Sequence, residues 1–120
     1  MNQSAAVKKE LSSLLSPERE AVQEFARLLR ERFGRMVKEI ILFGSRARGQ
    51  GGRESDIDIL IVMTNLSWEI KKNISELAAV ENMKHGVLIS TVRYNSATWE
   101  NPVIKASPFG TTVREQGIWL

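Results

Sequence analysis

Residues 40–63 read IILFGSRARGQGGRESDIDILIVM, and they predict the centre of the fold. It contains two short apolar runs, one ending abruptly at Gly44-Ser45 and the other built around two aspartates, Asp56 and Asp58. Apolar runs of this length, bounded by glycine and polar residues, are typical of buried strands. The stretch therefore predicts strands over residues 37–43 and 56–63, joined by a polar loop.

Patterns on either side of this stretch predict the remaining elements. Serine followed by proline at Ser16-Pro17 indicates the start of a helix, which Gly34 would end. The further expected elements are a helix from Ser67 to about His85, a strand over residues 87–94, a helix from Ser107 to about Gln116, and an edge strand or tail over residues 118–120. This order predicts an α/β (α+β) fold, with a small mixed central sheet flanked by helices.

Length and composition fit one ordinary globular domain. The chain has 120 residues, which suits a single domain, and we assign residues 17–120 to it. Residues 1–16 form an N-terminal extension that is either a short helix or frayed. Hydrophobic residues make up 42% and charged residues 26%, a balance typical of globular proteins.

Several classes of function are disfavoured by the same composition. The chain has no cysteine, which excludes disulfides and thiolate zinc sites and favours a cytoplasmic location. No apolar run is long enough to cross a membrane. The net charge of +3 is too weak to argue for direct nucleic-acid binding.

The two aspartates carry the chemistry. Strand residues two apart point to the same face, so Asp56 and Asp58 project together with Cα atoms about 6.6 Å apart. Two neighbouring carboxylates repel each other unless a cation lies between them. Mg²⁺ prefers one or two carboxylates together with substrate phosphates. We therefore predict that this pair is a metal site.

The preceding turn suits a phosphate. Glycine at position 44 lets the backbone approach a ligand closely, and the Ser45 hydroxyl can donate a further hydrogen bond. Arg46 and Arg48 could neutralise phosphate charge, and Arg53 follows them closely in the sequence. Turn and carboxylates together predict a triphosphate site beside a metal.

The pattern Gly-Ser-x-Ala-Arg-Gly, a loop, and Ser-Asp-x-Asp before an apolar run resembles the signature of the minimal nucleotidyltransferases. This MNT family belongs to the DNA polymerase β-like nucleotidyltransferase superfamily, whose fold the resemblance implies. It also implies that Gly44 and Ser45 bind the phosphates of ATP or another nucleoside triphosphate, and that Asp56 and Asp58 are catalytic and hold Mg²⁺. We also predict that Ser55, which precedes Asp56, binds the nucleotide. The implied partner is a HEPN-domain toxin that receives AMP on a tyrosine, which would make this chain an antitoxin.

One departure from the family pattern leaves two functions open. The superfamily usually supplies a third carboxylate from a later strand, whereas this chain has Ser90 or Thr91 at the expected position. Glu81 is a possible substitute that the sequence does not place. The alternatives are therefore an active adenylyltransferase and a weakly active or inactive antitoxin that acts by binding its partner. A small-molecule acceptor is a third alternative, but this chain offers no additional helical domain to hold one.

His85 is the only histidine. It falls in the last turn of a predicted helix, where a cation interacts favourably with the helix dipole. We interpret it as structural rather than catalytic.

Overall fold

The computed structural model describes Leu11, residues 14–50 and residues 56–120. The prediction for residues 1–16 therefore falls largely outside the described residues. The helices are α1 (Ser16–Phe33), α2 (Trp68–His85), α3 (Ser96–Trp99), α4 (Pro102–Ala106) and α5 (Pro108–Gln116). The strands are β1 (Val37–Phe43), β2 (Ile57–Met63), β3 (Ile89–Asn95) and β4 (Ile118–Trp119), and a 3₁₀ turn, Gly34–Met36, links α1 to β1.

The four strands form one mixed sheet in the order β3-β2-β1-β4. Strand β1 runs antiparallel to both β2 and β4, whereas β2 and β3 are parallel. The parallel pair needs a crossover connection, and α2 supplies it. The predicted α+β fold with a small mixed sheet flanked by helices is confirmed.

The sheet separates two hydrophobic clusters. The larger cluster joins α1 and α2 to the odd-numbered residues of β2, including Ile57, Ile59 and Ile61. The smaller cluster joins the short helices α3 to α5 to Leu60 and Val62, on the opposite side. We call these the long-helix face and the short-helix face. Because strand residues alternate between faces, position 58 belongs to the short-helix face.

The start of α1 differs from the prediction. Ser16 is the first helical residue rather than the cap, and Leu15 precedes the helix in an extended conformation. The backbone N–H of Leu15 donates to a carboxylate oxygen of Glu18 at 3.0 Å. A side chain three residues into the helix therefore caps it, in place of the serine hydroxyl.

Two short helices, α3 and α4, were not predicted. Each begins after an asparagine whose side-chain oxygen accepts hydrogen bonds from the helix start, Asn95 for α3 and Asn101 for α4. The Asn101-Pro102 pair is a signal for α4 that the apolar spacing alone does not reveal. No helix among the described residues is long and apolar enough to cross a membrane.

Candidate active site

Asp58 lies at the start of β2, in the middle of the sheet. Its register partners are Phe43 on β1 and Ser90 on β3. The side chain is half-buried on the short-helix face, and Asp56, two residues earlier, is exposed. The two carboxylates thus lie at the end of β2 where the chain enters the sheet.

The electrostatics of this pair favour a cation. Burial raises the pKa of the Asp58 carboxyl, and the negative charge of Asp56 raises it further. Both effects raise the free energy of the two ionised carboxylates when no cation lies near them. A hard divalent ion with oxygen ligands offsets both, so the donor set fits Mg²⁺.

Gly44 brings the preceding turn against Asp58. Its φ angle is +78°, a conformation that glycine adopts readily and other residues rarely do. A Cβ atom at this position would lie only 2.6 Å from the Asp58 carboxylate oxygen Oδ2. The absence of a side chain therefore lets the backbone pass close to the carboxylate.

Local hydrogen bonds hold the turn together. The Ala47 N–H donates to the Gly44 carbonyl at 3.2 Å, and the N–H groups of Arg48 and Gln50 donate to the Ser45 carbonyl at 3.2 and 2.8 Å. Ser45 is half-buried, and Arg48 is exposed. The compact turn fixes the backbone next to Asp58 and leaves the Arg48 side chain accessible.

Arg46 points into the protein. It is 6% exposed, and its guanidinium donates to Glu18, also buried, at 2.5 Å. Glu18 belongs to α1, so this ion pair fastens the turn to the start of the first helix. The sequence predicts Arg46 as a nucleotide ligand, whereas the structure gives its guanidinium a partner inside the protein.

The register of β3 decides between the two hydroxyl residues that could replace a third carboxylate. Ser90 pairs with Asp58 and shares its face, whereas Thr91 pairs with Ile59 and belongs to the long-helix face. Glu81 also lies on the long-helix side, beside Glu24. Ser90 is therefore the residue next to Asp58, and Glu81 is not a substitute.

A polar cavity of about 350 Å³ adjoins the turn. Its lining comprises Ala47, Arg48, Gly49, Glu115, Gln116, Gly117 and Ile118. The end of α5 and the start of β4 thus form one wall of the space beside Arg48. Sequence reasoning did not assign these C-terminal residues to the site.

Ser55, a predicted nucleotide ligand, lies outside the described residues, as does Arg53. Glu18, by contrast, is a residue near the site that sequence reasoning missed. Its only signal is its place in the first turn of a helix, which suggests a cap but not a contact with Arg46.

Comparisons with known proteins identify similar sequences and folds. A family model described as "Nucleotidyltransferase domain" matches residues 22–106. Two proteins of Methanocaldococcus jannaschii, MJ0604 and MJ0141, carry names that provisionally assign them as protein adenylyltransferases. MJ0604 is 39% identical over 62% of this chain and 71% of its own length. MJ0141 is 28% identical over 78% of this chain and 96% of its own length.

Two solved structures share the fold. Both are crystal structures of mutants of the toxin–antitoxin complex MntA-HpeT, with TM-scores of 0.53 and 0.55. The aligned region covers 82% of this chain in both and 69% and 70% of the matched chains, at 23% and 21% identity. At that identity the likeness concerns the fold.

Proposed function

The chain belongs to the nucleotidyltransferase domain family, and from this premise we propose that it transfers AMP from ATP to a hydroxyl group with the help of Mg²⁺. Asp56 and Asp58 would hold the metal. The observation that carries this proposal is the close approach of Gly44 to Asp58, because it brings a turn suited to phosphates beside a carboxylate suited to a metal.

Each residue of the site has a role in the proposal. Gly44 lets the phosphate chain approach the backbone, the Ser45 hydroxyl donates a hydrogen bond, and exposed Arg48 neutralises phosphate charge. Arg46 is buried, and its ion pair with Glu18 holds the turn in place. Ser55 stays in the proposal as a nucleotide ligand.

In this reaction the acceptor oxygen bonds to the α-phosphorus, the bond to the β-phosphate breaks, pyrophosphate leaves, and the hydroxyl proton passes to a base or to water. The metal would contribute charge stabilisation at the α-phosphate and on the leaving pyrophosphate. The protein itself mainly orients: Asp58 is fixed by two neighbouring strands, and the turn is fixed by its own hydrogen bonds and by Glu18. Positioning and neutralisation are what phosphoryl-type transfers chiefly require.

We further propose that the acceptor is a protein, specifically a tyrosine of a HEPN-type toxin. Relatives named as protein adenylyltransferases support a protein acceptor. Structural neighbours that are toxin–antitoxin complexes support a toxin as that protein. The chain would then be the antitoxin of the pair.

The test is transfer of labelled AMP. The protein is incubated with ATP labelled on the α-phosphate, Mg²⁺ and the product of the neighbouring reading frame. An Asp56→Asn, Asp58→Asn variant is compared with Glu69→Gln, Glu76→Gln, which makes the same chemical change on the exposed side of α2. We expect label on the partner with wild type and with the α2 variant only. Equal labelling by the aspartate variant would refute the site.

A second function is favoured by Ser90. This residue places a hydroxyl beside Asp58, where a hydroxyl is a poor base and a weak Mg²⁺ ligand. An antitoxin that acts by binding alone would form a tight complex with its partner without labelling it. In the same experiment, complex formation by wild type and the aspartate variant alike, with no label, would favour this function.

A further inference from the structure

A second cluster of ionisable side chains lies between the two long helices. Glu24 comes from α1, and Glu81 and His85 come from successive turns of α2. His85 Nε2 lies 3.0 Å from Glu24 Oε2 and 3.1 Å from Glu81 Oε2. One ligand atom from each residue lies within 4.8 Å of the other two. Three potential metal ligands thus converge on one point.

One oxygen in this cluster is unsatisfied. Glu81 is only 1% exposed, and its Oε2 atom has no hydrogen-bond partner in the described part of the chain. The nearby ring nitrogen of His85 makes its hydrogen bond with Glu24 instead. A buried carboxylate oxygen without a partner is costly, so it calls for a proton or a cation.

Glu24 is arranged as a ready ligand. Its Oε1 atom accepts a hydrogen bond from Lys84 at 2.6 Å, while Oε2 faces the cluster. Lys84 therefore orients the Glu24 carboxylate from outside the cluster, as outer partners orient metal ligands.

We propose that Glu24, Glu81 and His85 form a binding site for a divalent transition-metal ion such as Zn²⁺. Bonds of about 2.0–2.2 Å to nitrogen and oxygen place neighbouring ligand atoms roughly 3–3.5 Å apart, close to the two distances from His85 Nε2. An imidazole together with carboxylates suits zinc and similar ions, whereas Mg²⁺ prefers oxygen ligands and water. The bound ion would satisfy Glu81 and tie α1 to α2.

This site is separate from the aspartate pair. The helices that carry it pack on the long-helix face, whereas Asp58 belongs to the short-helix face. A small cavity of about 90 Å³, lined by His85, Gly86, Pro17 and other residues at the start of α1, adjoins it. Of the three proposed ligands, His85 lines this cavity. The proposal is independent of the transfer reaction.

The test measures Zn²⁺ binding by calorimetry and by metal analysis of the dialysed protein. All measurements use the Asp56→Asn, Asp58→Asn variant as the parent protein, because it lacks the proposed aspartate metal site. We expect one Zn²⁺ per chain in this background, and binding weakened at least 100-fold by Glu81→Gln or His85→Gln. An excess of Mg²⁺ should not displace the ion.

Two outcomes would overturn the proposal. One is Zn²⁺ binding that is unchanged by Glu81→Gln and by His85→Gln. The other is Zn²⁺ binding that is already lost in the Asp56→Asn, Asp58→Asn variant. Circular dichroism checks folding, and Glu81→Gln is the safer variant because it removes a buried charge without changing the shape. Co²⁺ spectroscopy in the same Asp56→Asn, Asp58→Asn background reports the ligands of this site alone. Visible bands typical of an octahedral all-oxygen site would contradict a histidine ligand.

Discussion

At the scale of single residues, Gly44 is the most constrained position in the proposed site. Alanine there would carry a Cβ atom 2.6 Å from Asp58 Oδ2 and would have to adopt a φ of +78°. We expect Gly44→Ala to abolish ATP binding, because Asp58 must move, and to cost about 1–2 kcal/mol of stability from the backbone alone. Calorimetry and thermal unfolding measure the two effects.

Gly86→Ala is the matched control for that substitution. Gly86 also has a positive φ, of +65°, but nothing lies within 4 Å of the Cβ position. This variant should lose a similar backbone contribution to stability and keep its affinity for ATP. Loss of ATP binding in both variants would show that strain, and not contact with Asp58, is responsible.

The pKa of Asp58 predicts how stability depends on pH without metal. Burial and Asp56 raise this pKa above its ordinary value of 3.8. The folded state therefore holds the proton more tightly than the unfolded state, and the ionised carboxyl destabilises the fold as pH rises from about 4 through the raised value. Asp58→Asn should have a higher melting temperature than wild type at pH 7 in EDTA.

That gain in melting temperature should shrink as pH falls toward 4 and should also shrink when Mg²⁺ is added to both proteins. The measurement is thermal unfolding across this pH range, with and without the ion. A difference that does not vary with pH would mean that the aspartate charge is not its cause.

At the scale of elements, the parallel pairing of β2 and β3 makes Ser90 the place to test for a third carboxylate. Ser90→Asp puts a carboxylate beside Asp58, and we expect it to raise the rate of AMP transfer. Thr91→Asp is the control, because Thr91 belongs to the opposite face and pairs with Ile59. An increased rate of transfer with the Thr91 variant, or no increase with the Ser90 variant, would contradict the placement of Ser90 beside Asp58.

The contact between α1 and the turn predicts strong coupling between two buried charges. Removing one partner of a buried ion pair leaves the other uncompensated, so Glu18→Gln and Arg46→Met should each cost roughly 3 kcal/mol of stability. The double variant should lose less than the sum of the two. Denaturant unfolding of all four proteins measures this coupling, and simple additivity would argue against the pair.

At the scale of the whole molecule, the sequence predicts elements better than it predicts contacts. The strands and long helices follow from apolar spacing and from caps such as Ser67, whose hydroxyl accepts the Ile70 N–H as expected. Patterns of this kind are local. They identify Gly44-Ser45 and the two aspartates because each motif is contiguous.

Contacts between distant residues are what the sequence does not reveal. Arg46 meets Glu18 across 28 residues, and His85 meets Glu24 across 61. An arginine or a histidine is ordinarily expected at the protein surface. Arg46 and His85 have partners inside the protein because α1 packs against the turn and against α2. The face of Ser90 likewise depends on a strand register that no single segment specifies.

We propose that Asp56 and Asp58 hold a magnesium-bound nucleotide against the turn at Gly44. This binding is measured by calorimetric titration of ATP, in Mg²⁺ and then in EDTA, into wild type and into the Asp56→Asn, Asp58→Asn variant. We expect one nucleotide per chain for wild type in Mg²⁺, and binding at least tenfold weaker in EDTA or in the variant. Equal affinity in all of these conditions would rule out the proposed site.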